Sequence, residues 1–275
     1  MTQLASDRDT TVQSQRPFAL VTGASSGIGN AFATVLAKDG YNLVLTSRNE
    51  TRLQEVKSEL ESRYSIEAKV IPRDLSDTEA PSEIFEILRQ EGIVVGVLIN
   101  NAGFNVYGRF EETDLEEELK MIRLHIGAIT HLTKLFLRQR RLDEKSMILN
   151  VSSIAALVPG PLVSVHFATR AHTLSFSQAL AYEFRGTNVN VTCLCPGPTR
   201  SDFYNRASMN DVRLASGAPI RLMDAEAVAA VGYAALKKGK VIAIPGLGNR
   251  IWALMAKIAP RPMATSFTNW LMQRQ

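Results

Sequence analysis

"TGASSGIG", residues Thr22 to Gly29, stands between the apolar run "FALV" and a segment, "GIGNAFATVLAKDG", whose apolar residues recur at helical spacing. Glycines at 23, 27 and 29 permit a tight turn and let another group approach the backbone closely. A strand–turn–helix junction of this kind aims the free N–H groups of a helix start beyond the strand end, where a pyrophosphate is held well. The spacing is G-x-x-x-G-x-G, distinct from G-x-G-x-x-G, and a glycine pattern alone decides little. Its surroundings carry the reading.

From Phe18 onward strand-like runs alternate with helical patterns. "FALVTGA" and "NLVLTSR" are β-like, with a helix closed by Gly40 between them. "AKVIPRDL" follows the charged helix "ETRLQEVKSELESRY", and "GVLINNAG" follows "APSEIFEILRQEG". A long helix is expected from about Leu115 to Gln139, then the strand "SMILNVSS", a helix opening at "HFATR" (166–170), and the strand "VNVTCLCPGP". The helix "DAEAVAAVGYAALKKG" and a last strand, "KVIAIPG", complete the series. Such alternation predicts the α/β class, a doubly wound parallel sheet of about seven strands with helices on both faces.

With 45% hydrophobic and 21% charged residues, the 275-residue chain has the composition of a globular protein with one substantial core. Residues 1–16 read as a flexible polar tail, 17–246 as the sheet domain, and 247–275 as an amphipathic extension. The stretch 198–223 breaks the rhythm at the carboxyl end of a strand, where ligands bind in such sheets, and is expected to be a substrate lid. In the extension, Trp252, Met255, Ile258, Phe267, Trp270 and Leu271 lie between basic residues. Packing against the domain or a second subunit is set ahead of an interfacial membrane helix, because Pro260 and Pro262 interrupt the pattern.

The net charge of +4 does not point to nucleic acid, since cations alternate with anions and no aromatic-basic module occurs. A phosphorylated cofactor accounts for the surplus. The first sixteen residues hold no apolar leader, and no run reaches the roughly 18 apolar residues of a membrane span, so a cytoplasmic protein is expected. Cys193 and Cys195 are read as small buried hydrophobes pointing to opposite faces of their strand, which predicts neither a mutual disulfide nor a shared metal. None of the histidines has ligand spacing with a carboxylate, and no metal site is expected.

The second strand ends in "TSR", which places Arg48 near the ribose of a bound dinucleotide, with no acidic residue there to hold a free 2′-hydroxyl. A guanidinium suits a 2′-phosphate, favouring NADP(H) over NAD. The competing reading is a solvated arginine at a helix start, since Asn49 is also a cap for the next helix.

With these marks in place, the chain resembles the short-chain dehydrogenase/reductase family in its single-domain form, from Phe18 to about Gly246. The resemblance rests on "TGASSGIG", the "DL" at Asp74 and Leu75, "NNAG" at Asn100 to Gly103, "SS" at Ser152 and Ser153, and "PGPT" at Pro196 to Thr199. It implies an extended Rossmann fold. It also implies that the cofactor meets Gly23, Ser25, Ser26, Gly27, Ile28 and Gly29 of the turn, Arg48 at the ribose, and Asp74 and Leu75 at the adenine. Asn101, Ala102 and Gly103 would line the groove while Asn100 steadies the sheet, and Pro196, Gly197 and Thr199 would meet the nicotinamide amide. A homodimer or homotetramer through the helix 115–139 and the "HFATR" helix is a further implication.

The family transfers hydride to a carbonyl using a serine that polarises the oxygen, a tyrosine that donates the proton, a lysine one helical turn later, and an asparagine holding a relay water. Ser153, thirteen residues before "HFATR", takes the serine position, with Ser152 as the adjacent alternative. His166 stands for the tyrosine, Arg170 for the lysine and His125 for the asparagine. The i and i+4 spacing keeps His166 and Arg170 on one helix face. Imidazolium is a competent acid near neutral pH, but a permanent cation one turn away favours the neutral ring. Arg170 can still bond a cofactor ribose, although it cannot relay a proton. Tyr107 and Tyr204 are candidates for a displaced acid, though packing roles suit both; His131 and His172 read as surface or packing residues. Three functions stay open: an NADP(H)-dependent reductase of a carbonyl, iminium or conjugated carbonyl in a medium-sized hydrophobic molecule; a non-redox isomerase, cyclase or elimination enzyme; and a catalytically silent NADP-binding protein.

Overall fold

The computed structural model describes residues 16–200, 207, 209, 211–214 and 222–275; the expected tail before Arg16 and most of the expected lid, including Tyr204, lie outside the described residues. In chain order the elements are β1 (Phe18–Thr22), α1 (Gly27–Lys38), β2 (Asn42–Thr46), α2 (Glu50–Tyr64), β3 (Ala68–Val70), α3 (Ala80–Gln90) and β4 (Val95–Asn100). There follow α4 (Leu115–Ile122), a π-helical turn (Arg123–Ala128), α5 (Ile129–Gln139), β5 (Ser146–Val151), a 3₁₀ turn (Ile154–Leu157) and α6 (Ser164–Glu183). Last come β6 (Val189–Leu194), α7 (Ala225–Lys237), β7 (Ile242–Ala243), α8 (Leu247–Ile258) and α9 (Arg261–Met272).

The strands form one seven-stranded sheet in the order β3-β2-β1-β4-β5-β6-β7, and every pair is parallel. Their near-continuous apolar runs are buried on both faces, as parallel strands require. Val21, Leu43, Ile99 and Leu149 face one way, onto Phe32 and Leu36 of α1 and Val228 and Leu236 of α7. The alternate residues Leu20, Val44, Leu98 and Ile148 face the other way, onto Ile84 and Leu88 of α3 and Leu132 and Phe136 of α5. The chain builds outward from β1 to β3 and then returns to β4 on the other side of β1. The crevice between the carboxyl ends of β1 and β4 is therefore the switch point at which such sheets bind ligands.

Four local outcomes differ from, or sharpen, the sequence expectations. The helix expected from Leu115 to Gln139 is continuous but widens into a π turn at Arg123–Ala128, which inserts an extra residue per turn and buries His125. Cys193 and Cys195 share a face of β6, with sulfurs 3.8 Å apart; the expectation of opposite faces is corrected, because residues two apart on a strand point the same way. Both are free, buried thiols, as expected of small hydrophobes. Asn49 does cap α2, its Oδ1 accepting from Arg52 N at 3.0 Å. Finally, Pro260 and Pro262 interrupt no helix: Pro260 precedes α9 and Pro262 sits in its first turn, where a missing N–H costs nothing.

The segment 198–223 is closed at its base. Arg200 N donates to Met223 O at 2.8 Å and Met223 N to Pro198 O at 2.9 Å. Of its described residues, Ala207, Met209 and Val212 pack with Val158, Val163 and Phe167 and with Ala264 and Met272 of α9. This third apolar cluster lies over the carboxyl end of the sheet, beside the crevice. Among the described residues, no helix is long and apolar enough to cross a membrane.

Candidate active site

The turn between β1 and α1 is shaped by contacts that only glycines allow. Gly23 takes φ +66°, and a Cβ on Gly29 would lie 2.1 Å from the Gly23 carbonyl oxygen. Ser26 makes no side-chain cap bond to α1, so the first N–H groups of that helix are left for a ligand. The "NNAG" segment stitches the neighbouring strand ends together. Thr22 Oγ1 accepts from Asn101 N at 2.8 Å and from Ala102 N at 3.0 Å, while Asn101 Nδ2 donates to Thr22 O at 3.0 Å. Asn100 is buried deeper and bonds Asn150 Oδ1 at 2.8 Å, joining β4 to β5.

A cleft of about 1490 Å³ runs along the carboxyl ends of the strands. Gly23, Ser25, Ser26, Gly27 and Ile28 line one end with Arg48, Asp74 and Leu75; Asn101, Ala102 and Gly103 line its middle with Ser153, His166, Arg170, Pro196, Gly197 and Thr199. Two of the predicted positions, Gly29 and His125, do not line the cleft, and neither does Asn100, expected only to steady the sheet. Arg48 Nη1 is 4.0 Å from Asp74 Oδ2, and both side chains are largely exposed. Asp74 Oδ1 meanwhile accepts from Ser76 N and Oγ. Next to Arg48, the buried hydroxyl of Ser47 has no hydrogen-bond partner among the described residues and lines the cleft. A buried hydroxyl of this kind normally finds a partner, so the glycine turn, the open helix start, Arg48 and Ser47 together suit a phosphorylated dinucleotide.

The residues expected at the catalytic positions, His166, Arg170 and His125, come together. His166 and Arg170 occupy successive turns of α6, and the ring centroids of His166 and His125 are 5.6 Å apart. Arg170 Nη1 donates to Val151 O at 3.0 Å and Nη2 to His125 Nε2 at 3.0 Å. Phe104 N also donates to His125 Nε2, at 3.2 Å. With Nε2 accepting twice, the ring proton is on Nδ1, which donates to Thr169 Oγ1 at 2.9 Å; Thr169 Oγ1 in turn donates to His166 O at 2.8 Å. His125 is thus a neutral strut between α6 and the "NNAG" loop. Gly103 makes room for it, since a Cβ there would stand 2.5 Å from Arg170 Nη2 and 2.8 Å from His125 Nε2.

Electrostatics follow from burial. Both histidines are held well below the ordinary imidazole value, first by desolvation and then by the charge on Arg170. Arg170 itself is pushed down to about 10 by burial, which leaves it charged at neutral pH, and no carboxylate pairs with it among the described residues. Of the two serines, Ser152 donates its proton to Arg170 O at 2.8 Å and so fastens α6 to β5. Ser153 Oγ accepts from Ala155 N at 3.1 Å and, among the described residues, has only a long 3.4 Å contact to Pro196 O for its own proton.

Among the described residues, no tyrosine stands ready as a displaced acid. Tyr107 lines the cleft, but its hydroxyl donates to Met272 O at 2.8 Å, which latches the loop to α9. His131 bonds Ser82 at 3.2 Å and His172 stacks on Phe176, both away from the cleft. Sequence reasoning missed the far wall. Val158, Val163, Phe167, Trp252, Leu271 and Met272 make that end of the cleft apolar; Asn105 also lines the cleft, and its buried Oδ1 has no partner among the described residues. Phe167, inside "HFATR", was legible as an apolar neighbour of the site; the α8 and α9 residues carried no signal of where their helices would dock.

Known proteins resemble this chain in sequence and in fold. Residues 17–211 match the family described as short chain dehydrogenase. The very-long-chain 3-oxoacyl-CoA reductase of Anas platyrhynchos is 35% identical over 185 residues, which is 65% of this chain and 58% of that protein. The 17-beta-hydroxysteroid dehydrogenase type 3 of Mus musculus is 33% identical over 187 residues, covering 67% and 61%. The chain thus spans less than two thirds of the length of either relative. Among solved structures, a short-chain dehydrogenase from Sphingobium yanoikuyae in complex with NADPH superposes with a TM-score of 0.78 at 27% identity, over 86% of this chain and 92% of that one. A bulky-bulky ketone specific alcohol dehydrogenase from Comamonas testosteroni gives 0.73 at 26% identity, over 90% and 96%.

Proposed function

The chain belongs to the short-chain dehydrogenase family of oxidoreductases, and on that premise we propose that it is an NADP(H)-dependent reductase of a carbonyl group in a medium-sized hydrophobic molecule. One observation carries the reading: a single cleft joins a phosphate-suited cradle at Ser47, Arg48 and the glycine turn to an apolar chamber walled by Phe167, Trp252 and Leu271. The relatives support it, since they are a 3-oxoacyl-CoA reductase and a hydroxysteroid dehydrogenase, and a structural neighbour carries NADPH.

The cofactor, when bound, supplies hydride. Arg48 and Ser47 would hold its 2′-phosphate, the α1 N-terminus its pyrophosphate, Gly103 and Arg170 the ribose wall, and Pro196, Gly197 and Thr199 the carboxamide end. Ser153 is the hydroxyl free enough to donate to a carbonyl oxygen. The buried charge on Arg170 then stabilises the negative charge that grows on that oxygen. His166, neutral at pH 7, offers at most an N–H hydrogen bond, and the full proton comes from water. That arrangement favours a conjugated carbonyl, whose enolate needs no immediate proton, over a simple ketone. An iminium is disfavoured because it would bring a second cation beside Arg170.

A second reading, an NADP-binding protein without turnover, is favoured by one specific feature: Arg170, His125 and Thr169 satisfy one another and leave no proton relay. Titrating NADPH by its fluorescence and then following the loss of its absorbance with simple ketones, conjugated ketones and iminium salts separates the two. Oxidation with conjugated ketones ahead of simple ones supports the reductase. Tight binding with no oxidation by any acceptor leaves the silent protein, and failure to bind NADPH removes the cofactor assignment.

A further inference from the structure

We propose that α8 and α9 form a surface that seats the protein on an anionic lipid bilayer. The apolar residues of α8 do not all turn inward. Leu247, Ile251, Leu254, Met255 and Ile258 follow one another at helical spacing and form a single stripe, and every one is exposed, Leu247 by 73% and Ile258 by 68%. The opposite stripe, through Asn249 and Ala253, is the one buried against the domain. On α9, Met263, Phe267 and Trp270 repeat the pattern, with Met263 66% exposed. Isolated apolar residues on a surface are ordinary; contiguous stripes on two consecutive helices are not.

Charge selects the occupant. Residues 247–275 include Arg250, Lys257, Arg261 and Arg274 and no aspartate or glutamate. Arg250 and Lys257 flank the α8 stripe along one edge, and Arg261 follows at the start of α9; all three are exposed and form no ion pair among the described residues. Cations on long stems beside an apolar stripe can reach upward to headgroup phosphates while the stripe enters the acyl boundary. A second copy of the chain on this face would set those cations against their own kind. Anionic lipid complements them. Tryptophan at the rim fits the same setting, and Trp252, Phe267 and Trp270 form a ring cluster there. The two prolines that seemed to break the pattern in the sequence lie at the junction of α8 and α9, so each stripe is whole. The inner faces of the same helices supply Trp252, Thr268 and Leu271 to the cleft, which would put the wall of the apolar chamber next to the bilayer.

The test needs no turnover and so stands apart from the reductase reading. Trp252, in the chamber wall, and Trp270, on the exposed stripe, are the chain's two tryptophans, so intrinsic fluorescence reports on α8 and α9. The full chain is mixed with vesicles of phosphatidylcholine, with and without phosphatidylglycerol, and followed by co-sedimentation and emission wavelength. Expected are pelleting and a blue shift with the anionic vesicles, and binding weaker by about tenfold or more on neutral vesicles or in the Lys257→Glu variant. Leu254→Glu and Ile258→Glu, at exposed positions that leave folding intact, should abolish the shift. Equal binding to both vesicle types, or none to either, overturns the proposal. So does a dimer in sedimentation velocity that Leu254→Glu dissociates while vesicles bind nothing, which would assign the surface to a second copy.

Discussion

Arg170 Nη2 lies 3.0 Å from His125 Nε2, two side chains at the positions where the sequence resemblance implies a lysine and an asparagine. The acceptor nitrogen also takes the Phe104 N–H at 3.2 Å, so one neutral imidazole satisfies a buried guanidinium and a buried backbone amide together. Replacing it with an apolar residue leaves both donors without a partner. His125→Leu is expected to lower the unfolding free energy by about 2–4 kcal/mol, measured in urea, whereas His125→Asn, which keeps an acceptor, should cost less.

Stability should fall on the acid side of neutrality. In the folded chain, burial and the Arg170 charge hold both His125 and His166 well below 6.5. In the unfolded chain both titrate near about 6.5. The folded state therefore binds fewer protons below that value, and the contribution is fully present above it and lost as pH falls. Each histidine adds a slope of about 1.4 kcal/mol per pH unit until it protonates in the folded state. Urea midpoints measured from neutral pH downward should show this slope, and the double variant His125→Asn, His166→Gln should flatten it. A flat profile in the parent chain would contradict neutral buried rings.

Coenzyme preference should reside in Arg48. Because its side chain is 67% exposed, its bond to a 2′-phosphate is screened, and Arg48→Ala is expected to weaken NADPH about tenfold. NADH, which lacks the phosphate, should bind unchanged. Fluorescence titration of both coenzymes checks this, and an equal loss for both would mean that Arg48 acts through the turn and not through the phosphate.

Supplying the family's proton donor at the expected positions tests whether its departure limits the chemistry. The double variant His166→Tyr, Arg170→Lys supplies a phenol and an amine at the same i and i+4 positions. Its kcat for a simple ketone should rise on the order of a hundredfold if the missing acid limits the rate. No change in ketone turnover, with NADPH still bound, would place the limit in the apolar chamber.

A methyl group at Gly29 should be felt at both the turn and the cofactor. Its Cβ would meet the Gly23 carbonyl oxygen at 2.1 Å, a backbone atom that cannot swing aside. Gly29→Ala is expected to destabilise the chain by about 1–3 kcal/mol, by thermal or urea unfolding, and to abolish NADPH binding at micromolar protein.

Much of this was legible in the sequence because it is local. The "TGASSGIG" turn, the alternation of strand and helix, and the cap at Asn49 depend on neighbours a few residues away, and the structure returns each of them. The cysteine pair was misread despite a local rule, since side chains two apart on a strand share a face. Spacing put Ser153 ahead of Ser152 in the sequence, but only as a matter of position. What separates them is the Arg170 carbonyl, eighteen residues away in sequence, which takes the Ser152 proton.

By itself the sequence determined the doubly wound sheet and the phosphate-suited turn, because hydrophobic period and turn chemistry act over one or two turns of chain. Only the tertiary structure decided that His125 is a neutral strut and not a site group on the cleft wall, that Tyr107 is occupied by Met272, and that the apolar stripe of α8 faces outward. Each of these depends on which surfaces meet when segments far apart in the chain pack together. A side chain's protonation, partners and exposure are set by that packing and not by its neighbours in sequence.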